Sequence, residues 1–518
     1  MHRCLEVSEI LRAVFEALEP PVTTDSNFKL NKGPLSAASR VCKGFFEPAS
    51  NVLWRSIPSF SCLIRCLPPD TLEIRGTTKF RLIRVPVEDE WSQFIKHNRR
   101  VKRLRWTTFA GATNVFKVIR MSLSASLVLP NLEIIEIASV KSGEEAYLPM
   151  FLGPSLRQVR VLYTLDSDMI CAILAHIQHS SPHLRSLELS SCPLTGLLIL
   201  PQFRKLEHFQ LTDYTTASSA PGASPLVTIP PFSNSSALKS LKIPIPQWFT
   251  ASPLDLSSLP SLTHLHLRSA IDSQSLNNLL NVNITALTCL DLQLDFDFPS
   301  EDPDFLNQVL RVISQHQNLE FLLVYIEEND LHRPIPATLE LENLFPLHNL
   351  RHLEVHLLEP NLRLDLFPQL SRAWPHLEHF SVQTSYISET LSPPLEALAL
   401  CATHLPNLKY LELELDATII PEPTLIRSMN KIVIQLGFSP IAEGTWAQAA
   451  AYISSVYPHA NLVHDFESDD DSDNSDDEAA RHWSNVQDLL PTLASVRETE
   501  RRILEETTCR PDTDVACS

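Results

Sequence analysis

Between residues 101 and 413 the apolar positions recur in a Leu-x-x-Leu-x-Leu spacing. The motifs begin at Val101, Leu132, Leu156, Leu184, Leu206, Leu238, Leu262, Leu287, Leu319, Leu350, Leu377 and Leu408. Successive units are 22 to 32 residues long, which is room for one short strand and one returning helix or loop. Period-two alternation inside each motif sends the Leu positions to one face and the residues between them to the other. The pattern predicts an α/β chain: a leucine-rich-repeat solenoid of about 12 repeats over 101–437, with a curved parallel sheet, outer helices and a cap over 438–464. Helical spacing in the returning segments is clearest after Asp302-Pro303, at 168–179 and at 392–404, whereas 212–236, rich in Ser, Pro and Ala, reads as an irregular loop.

The residues between the Leu positions are candidates for a concave partner-binding face. They are Arg105, Arg160, Glu188, Lys242, His264, His266, Asp291, His352, Glu354, His379, Tyr410 and Glu412. Basic residues lead in the earlier repeats and acidic ones in the later, a polarity that would orient a protein of opposite pattern. The plainer alternative is a set of solvated residues with no shared ligand. His208, His264, His352 and His379 occupy one equivalent position, but only His352 and His379 come from adjacent repeats. Two imidazoles without a third donor make a poor metal site, so no metal is expected.

Ahead of the repeats, Ile10, Leu11, Val14, Phe15 and Leu18 mark one amphipathic helix with Ser8 placed to cap it. A second helical pattern runs from Leu35 through Ala38, Val41, Cys42, Phe45 and Phe46 and breaks at Pro48; a third short element carries Val52, Leu53 and Trp54. Helices this short complete their core against a neighbour, so from periodicity alone they are either a cap on the first repeat or a docking module.

Particular residues favour the second reading. The Leu/Ile helix from Leu5 to Leu18, the turn at Leu35 to Ser39, Val41-Cys42-Lys43 and the closing Leu53-Trp54 resemble an F-box over residues 1–60. With the repeats, the chain is similar to fungal F-box proteins with leucine-rich C-terminal regions. It departs from the family in having Ser8 where Pro is usual and about ten extra residues within 22–33. The resemblance implies binding of the Skp1 adaptor and, through it, a cullin-RING ubiquitin ligase. It also implies that the chain is a non-catalytic substrate-recognition subunit of an SCF-type complex. The residues matching the adaptor-contacting pattern are Leu5, Val7, Ile10, Leu11, Val14, Phe15, Leu35, Val41, Cys42, Leu53 and Trp54. Residues 61–100 then read as a connecting segment.

Composition narrows the rest. The net charge of −19 argues against nucleic acid, although nine of those charges sit between Asp465 and Glu478, a run expected to be extended and disordered over 465–479. Ser468, Ser472 and Ser475 lie in that run as candidate acidophilic-kinase sites, and 480–518 reads as an amphipathic helix and tail. No apolar stretch is long enough for a membrane span, and ten scattered cysteines without a Cys-x-x-Cys pair read as reduced thiols; the expected location is cytoplasmic or nuclear. With ten glycines, no phosphate loop and no catalytic motif, neither enzyme activity nor a cofactor is expected.

Overall fold

The structure is a computed structural model. It describes residues 7–18, 32–76, 79–123, 127–141, 143–214, 236–245, 256, 259–269, 284–296, 304–328, 340–357, 362–384, 392–436, 439–463 and 476–508. The chain divides into two compact units, Met1–Pro244 and Ile245–Ser518.

The first unit opens with three helices, α1 (Ser8–Ala17), α2 (Gly33–Ala38) and α3 (Lys43–Leu53). Leu11 and Phe15, one turn apart on α1, meet Leu35, Ala49 and Val52 in a small core where each is at most 3% exposed. Phe45 closes it edge-on to Phe15, centroids 5.6 Å apart. The helix boundaries differ from the sequence expectation. Ser8 does not cap α1: the N-cap is Val7, and the Ser8 hydroxyl donates to Glu9 instead. The second break falls before Lys43, where Cys42 is extended at φ −160°, so Pro48 sits inside α3 and Val52 and Leu53 are that helix's last turn. A proline is tolerated there at the loss of one backbone bond because the flanking apolar face is buried.

Polar contacts fasten the helical group to residues 55–100. Lys32 Nζ donates to Leu53 O at 2.7 Å and to Ser56 O, and Arg55 pairs with Glu16. Glu47 pairs with Lys96 and Arg100, and Trp54 stacks on His97 with centroids 4.2 Å apart.

Strand β1 (Ser56–Ile57) already belongs to the parallel sheet, because it pairs with β4 (Arg103–Trp106). Between them lies an antiparallel hairpin, β2 (Leu72–Arg75) and β3 (Lys79–Leu82), inside the stretch expected to be a plain connector. Gly111 is required beside it: at φ +91° a Cβ would sit 2.0 Å from Phe80 O. The sheet continues through β5 (Ile134–Ile137), β6 (Gln158–Val161), β7 (Ser186–Cys192), β8 (His208–Tyr214) and β9 (Ser240–Ile245), all parallel and in sequence order. Leu104, Ile135, Val159, Leu187, Phe209 and Leu241 are each at most 2% exposed. They stand in register across the strands. The predicted loop at 212–236 begins later, since Thr212 to Tyr214 are strand; 215–235 lie outside the described residues.

The second unit repeats the scheme with β10 (His264–Ser269), β11 (Cys289–Phe296), β12 (Phe321–Glu328), β13 (His352–Leu357), β14 (His379–Thr384), β15 (Tyr410–Leu413), β16 (Ile432–Gln435) and β17 (Ala460–Val463). The inward row Leu265, Leu290, Leu322, Leu353, Phe380, Leu411, Ile434 and Leu462 is at most 2% exposed. Returning helices lie at Ser167–Ser180 in the first unit and at Phe305–Ile313 and Ala397–His404 in the second. The last is shorter than expected because Pro393 and Pro394 are held in loop bonds to β15's exit. Over the stretch 438–464 lie the helix Trp446–Val456 and strand β17, which pairs in parallel with β16 and so extends the sheet.

One bonding scheme recurs in both units. The carbonyl of the residue before most strands accepts two successive N–H groups of the next repeat, as Lys102 O does from Glu133 and Ile134, and Glu320 O from Arg351 and His352. Asparagine amides add a second tie: Asn131 to Arg99 O, Asn318 to Thr285 O, Asn349 to Gln317 O and Asn407 to Pro375 O, all within 2.7–3.0 Å. These bonds pair loop backbone groups that would otherwise be left to water.

The C-terminal helix, Asp476–Thr508, packs Trp483, Val486 and Leu490 inward; Trp483 Nε1 donates to Ser439 O at 2.8 Å. Asp476, Asp477 and Glu478, expected in the disordered run, form its first turn.

Candidate protein-interaction surfaces

Two kinds of surface come out of this arrangement. The first is on α1. Leu11 and Phe15 are covered by α2 and α3, whereas Val7, Ile10, Val14 and Leu18, which continue the same wide apolar face of α1, are left 41–45% exposed. Val41 is 63% exposed and Phe46 40%. Glu9, Arg12 and Glu16 take the opposite, polar face, so the apolar face of α1 is wider than the module's own core covers.

The residues matched to the adaptor-contacting pattern therefore separate. Val7, Ile10, Val14 and Val41 are outward, whereas Leu11, Phe15 and Leu35 are consumed by the module's own core and have no surface to offer. Leu53 packs against that core, Cys42 is half-buried at the start of α3, and Trp54 is occupied by His97. Leu5 lies outside the described residues, as do Ser468, Ser472 and Ser475.

The second surface is the open face of the strands. In the first unit Arg105, Glu136, Arg160, Glu188, Gln210 and Lys242 form one row, strand to strand. The expected basic character is cancelled within the row. Arg105 Nε is 3.1 Å from Glu136 Oε1, Arg160 Nη1 is 2.9 Å from Glu136 Oε2, and Arg160 Nε is 2.5 Å from Glu188 Oε2. Residues far apart in sequence alternate in sign once registered, and neighbouring strands bring them within bonding reach. The Glu188 carboxylate, more than any other influence, raises the Arg160 pKa. A free gradient of charge along this face is thus corrected to a self-paired ladder. At the strand starts an open cleft of about 710 Å³ is lined by Lys102, Arg157, Arg185, Lys205 and Glu133, a grouping the motif spacing did not reveal.

In the second unit the corresponding row is His266, Asp291, Leu323, Glu354, Ser381 and Glu412. His266 Nδ1 pairs with Asp291. Glu412 is buried: Ser381 Oγ donates to it at 2.8 Å and the Tyr410 hydroxyl lies 3.0 Å from the same oxygen, so it braces the sheet rather than facing a partner.

Two residues back runs a second row of outward rings, Phe321, His352, His379 and Tyr410, stacked face to face across β12 to β15 at 4.0, 3.7 and 4.1 Å between centroids. His264 is exposed on β10, opposite Cys289. Burial pushes the Cys289 thiol up to about 11, so it stays protonated. His208 lies between Ser186 and Ser240.

Glu354 sits beside the stack. His352 Nε2 lies 3.3 Å from its Oε2 and His356 Nε2 2.9 Å from its Oε1, and these bonds hold the carboxyl down at about 2. Desolvation, helped by His352, lowers His379 to about 4; desolvation likewise lowers His97 to about 4.

These shifts share a sign. A histidine whose folded pKa is depressed is bound to fewer protons in the native than in the unfolded chain, so stability falls as pH drops from about 6.5 to about 4. Glu354 adds a loss between its unfolded value and about 2. Urea unfolding midpoints should therefore decline below pH 6.5, and His379→Phe and His97→Phe should each flatten that decline. Equal slopes in the variants and the parent chain would contradict the assignment.

Comparison with known proteins adds little to the geometry. No family model and no curated protein matches the chain. Among solved structures it is similar to an internalin C2 from Listeria monocytogenes, with 17% identity over 46% of this chain and 90% of that one and a TM-score of 0.25. No helix among the described residues is long and apolar enough to cross a membrane.

Proposed function

We propose that the chain is the substrate-recognition subunit of an SCF-type cullin-RING ubiquitin ligase, with α1 to α3 docking a Skp1-like adaptor and the open strand faces holding a target protein. The observation that carries this reading is the apolar face of α1, of which Leu11 and Phe15 are buried in the module's own core while Val7, Ile10, Val14 and Leu18 stay exposed. A stripe of this kind fits an apolar groove on a partner, and full burial of each such side chain contributes about 1.5–3 kcal/mol. The polypeptide itself performs no bond chemistry in this reading; it holds a target's lysines near a charged conjugating enzyme, converting an encounter into an intramolecular event. On this reading it works in the cytoplasm or nucleus.

The test is co-purification of the full chain with recombinant Skp1. The parent chain should form a stoichiometric complex, and Ile10→Glu with Val14→Glu should weaken it by roughly a hundredfold or more, since burying an unpaired carboxylate costs several kcal/mol. Both positions are more than 40% exposed, so the variant should unfold at the same temperature. A parent chain that fails to bind Skp1 would sink the proposal.

One set of contacts favours a second reading, a leucine-rich-repeat scaffold that engages no adaptor. The Trp54–His97 stack, the Glu47 ion pairs and the β1–β4 pairing make the helices a cap for the first repeat. Failure of Skp1 binding together with aggregation on deleting residues 1–60 supports that alternative.

A further inference from the structure

Two adjacent imidazoles lacking a third donor give no reason to expect a metal. Folding supplies the third donor. One ligand atom from each of His352, Glu354 and His379 lies within 4.8 Å of the other two, brought together by adjacent strands β13 and β14. We infer that His352, Glu354 and His379 form a binding site for a divalent transition-metal ion of the zinc type, with a fourth coordination position left open to solvent.

Four features of the cluster support this. The donor set of two imidazoles and one carboxylate is one of those that zinc takes in three-ligand sites. A tetrahedral site with ligand bonds near 2.1 Å has donor–donor edges of about 3.4 Å. The His352–Glu354 edge is already 3.3 Å and the His379–Glu354 edge is 3.9 Å. Closing the second asks for about 0.5 Å, and bringing the two imidazole nitrogens to the same separation asks for a tilt of the stacked rings out of parallel, both side-chain adjustments.

Next, His379 Nε2 is buried and makes no hydrogen bond among the described residues. A buried polar nitrogen without a partner costs roughly 1–3 kcal/mol, so its persistence on an ordered strand needs a reason. Coordination to an ion would satisfy it.

The two rings are also placed for it, since His352 and His379 occupy paired positions of β13 and β14 with centroids 3.7 Å apart. Finally, His356 binds the carboxylate oxygen turned away from the two ligands, at 2.9 Å, as a positioning residue that fixes how Glu354 presents its other oxygen. The side chains of all three donors are 22–24% exposed, which leaves a path for an ion to enter.

The site uses no residue of α1 to α3 and stands or falls separately from adaptor binding. The experiment is a Zn²⁺ titration of the chelator-stripped full chain in competition with a chromogenic zinc indicator, repeated with Co²⁺ and read by visible absorption. One equivalent should bind with micromolar or tighter affinity, and Co²⁺ should give the intense absorption of a four-coordinate site. Glu354→Gln, which keeps the shape of the side chain, and His379→Phe, which keeps the ring stack, should each weaken zinc at least tenfold. His356→Gln should weaken it less. If Glu354→Gln and His379→Phe bind zinc as the parent chain does, the ion is going to other histidines and the inference is wrong. It is equally wrong if the parent chain binds no zinc at micromolar concentration. Circular dichroism of each variant reports folding, and Glu354→Gln carries the test should His379→Phe fail to fold.

Discussion

Replacing Trp483 by Ala is expected to destabilise the second unit by about 4 kcal/mol and to release the C-terminal helix to proteolysis. The indole is fully buried, and its Nε1 donates 2.8 Å to Ser439 O. Ser439 in turn accepts the Leu415 backbone N–H on its hydroxyl at 2.8 Å, so the tryptophan completes a chain of bonds from the helix to the exit of β15. Truncation would leave both a large cavity and an orphaned buried carbonyl, two losses that add. Trp483→Phe separates them: it keeps most of the apolar volume and should cost about 1–2 kcal/mol less than the alanine change. Urea unfolding monitored with limited proteolysis checks the pair. If Trp483→Ala leaves the helix as protected as before, then Val486, Leu490 and the Arg497 to Ala451 O bond dock it without the indole.

The second large effect is expected at Arg160. Exposed ion pairs contribute at most about 1 kcal/mol, whereas breaking a buried one costs about 3–5 kcal/mol because a charge is stranded. The side chains of Arg105, Glu136, Arg160 and Glu188 are 9–21% exposed, nearer the buried limit. Arg160→Met should therefore cost about 3 kcal/mol, since Glu188 loses its pair and Glu136 keeps only Arg105. Adding Glu136→Gln and Glu188→Gln removes the stranded charges and should recover most of that loss. Denaturant midpoints of the single and triple variants decide it: a single change below about 0.5 kcal/mol would mean that water, not the neighbouring strands, solvates this row.

The periodicity locates nearly every strand, because inward Leu positions are a local signal that the sheet only has to stack. Strands β1 and β17 escape it: Ser56–Ile57 and Ala460–Val463 are too short or too polar to display the motif. The β2–β3 hairpin is hidden for a related reason, having one residue per strand in the core.

Side-chain partnerships are less legible. Arg105, Glu136, Arg160 and Glu188 all stand in the sequence at equivalent positions, yet their pairing depends on which strands become neighbours and in what register. The same holds for Glu354, whose place beside His352 and His379 follows from β13 and β14 aligning His352 with His379. In α1 the periodicity gives the helix and its apolar face but not which part of that face is covered. That choice is made by Leu35, Ala49 and Val52 on other helices. The asparagines at 131, 318, 349 and 407 carry a usable signal that the Leu spacing overshadows, since each stands just before a motif's first Leu.

The lateral bonding of the open face bears on how such a surface can diversify. A side chain that is shared by two neighbouring strands cannot be exchanged alone without disturbing both, so mutations there are epistatic: Arg160 is tied to Glu136 and Glu188, and Glu412 to Ser381 and Tyr410. Lineages carrying this fold would vary such rows as correlated blocks, and new binding preferences would arise by compensated pairs of substitutions more readily than by single ones.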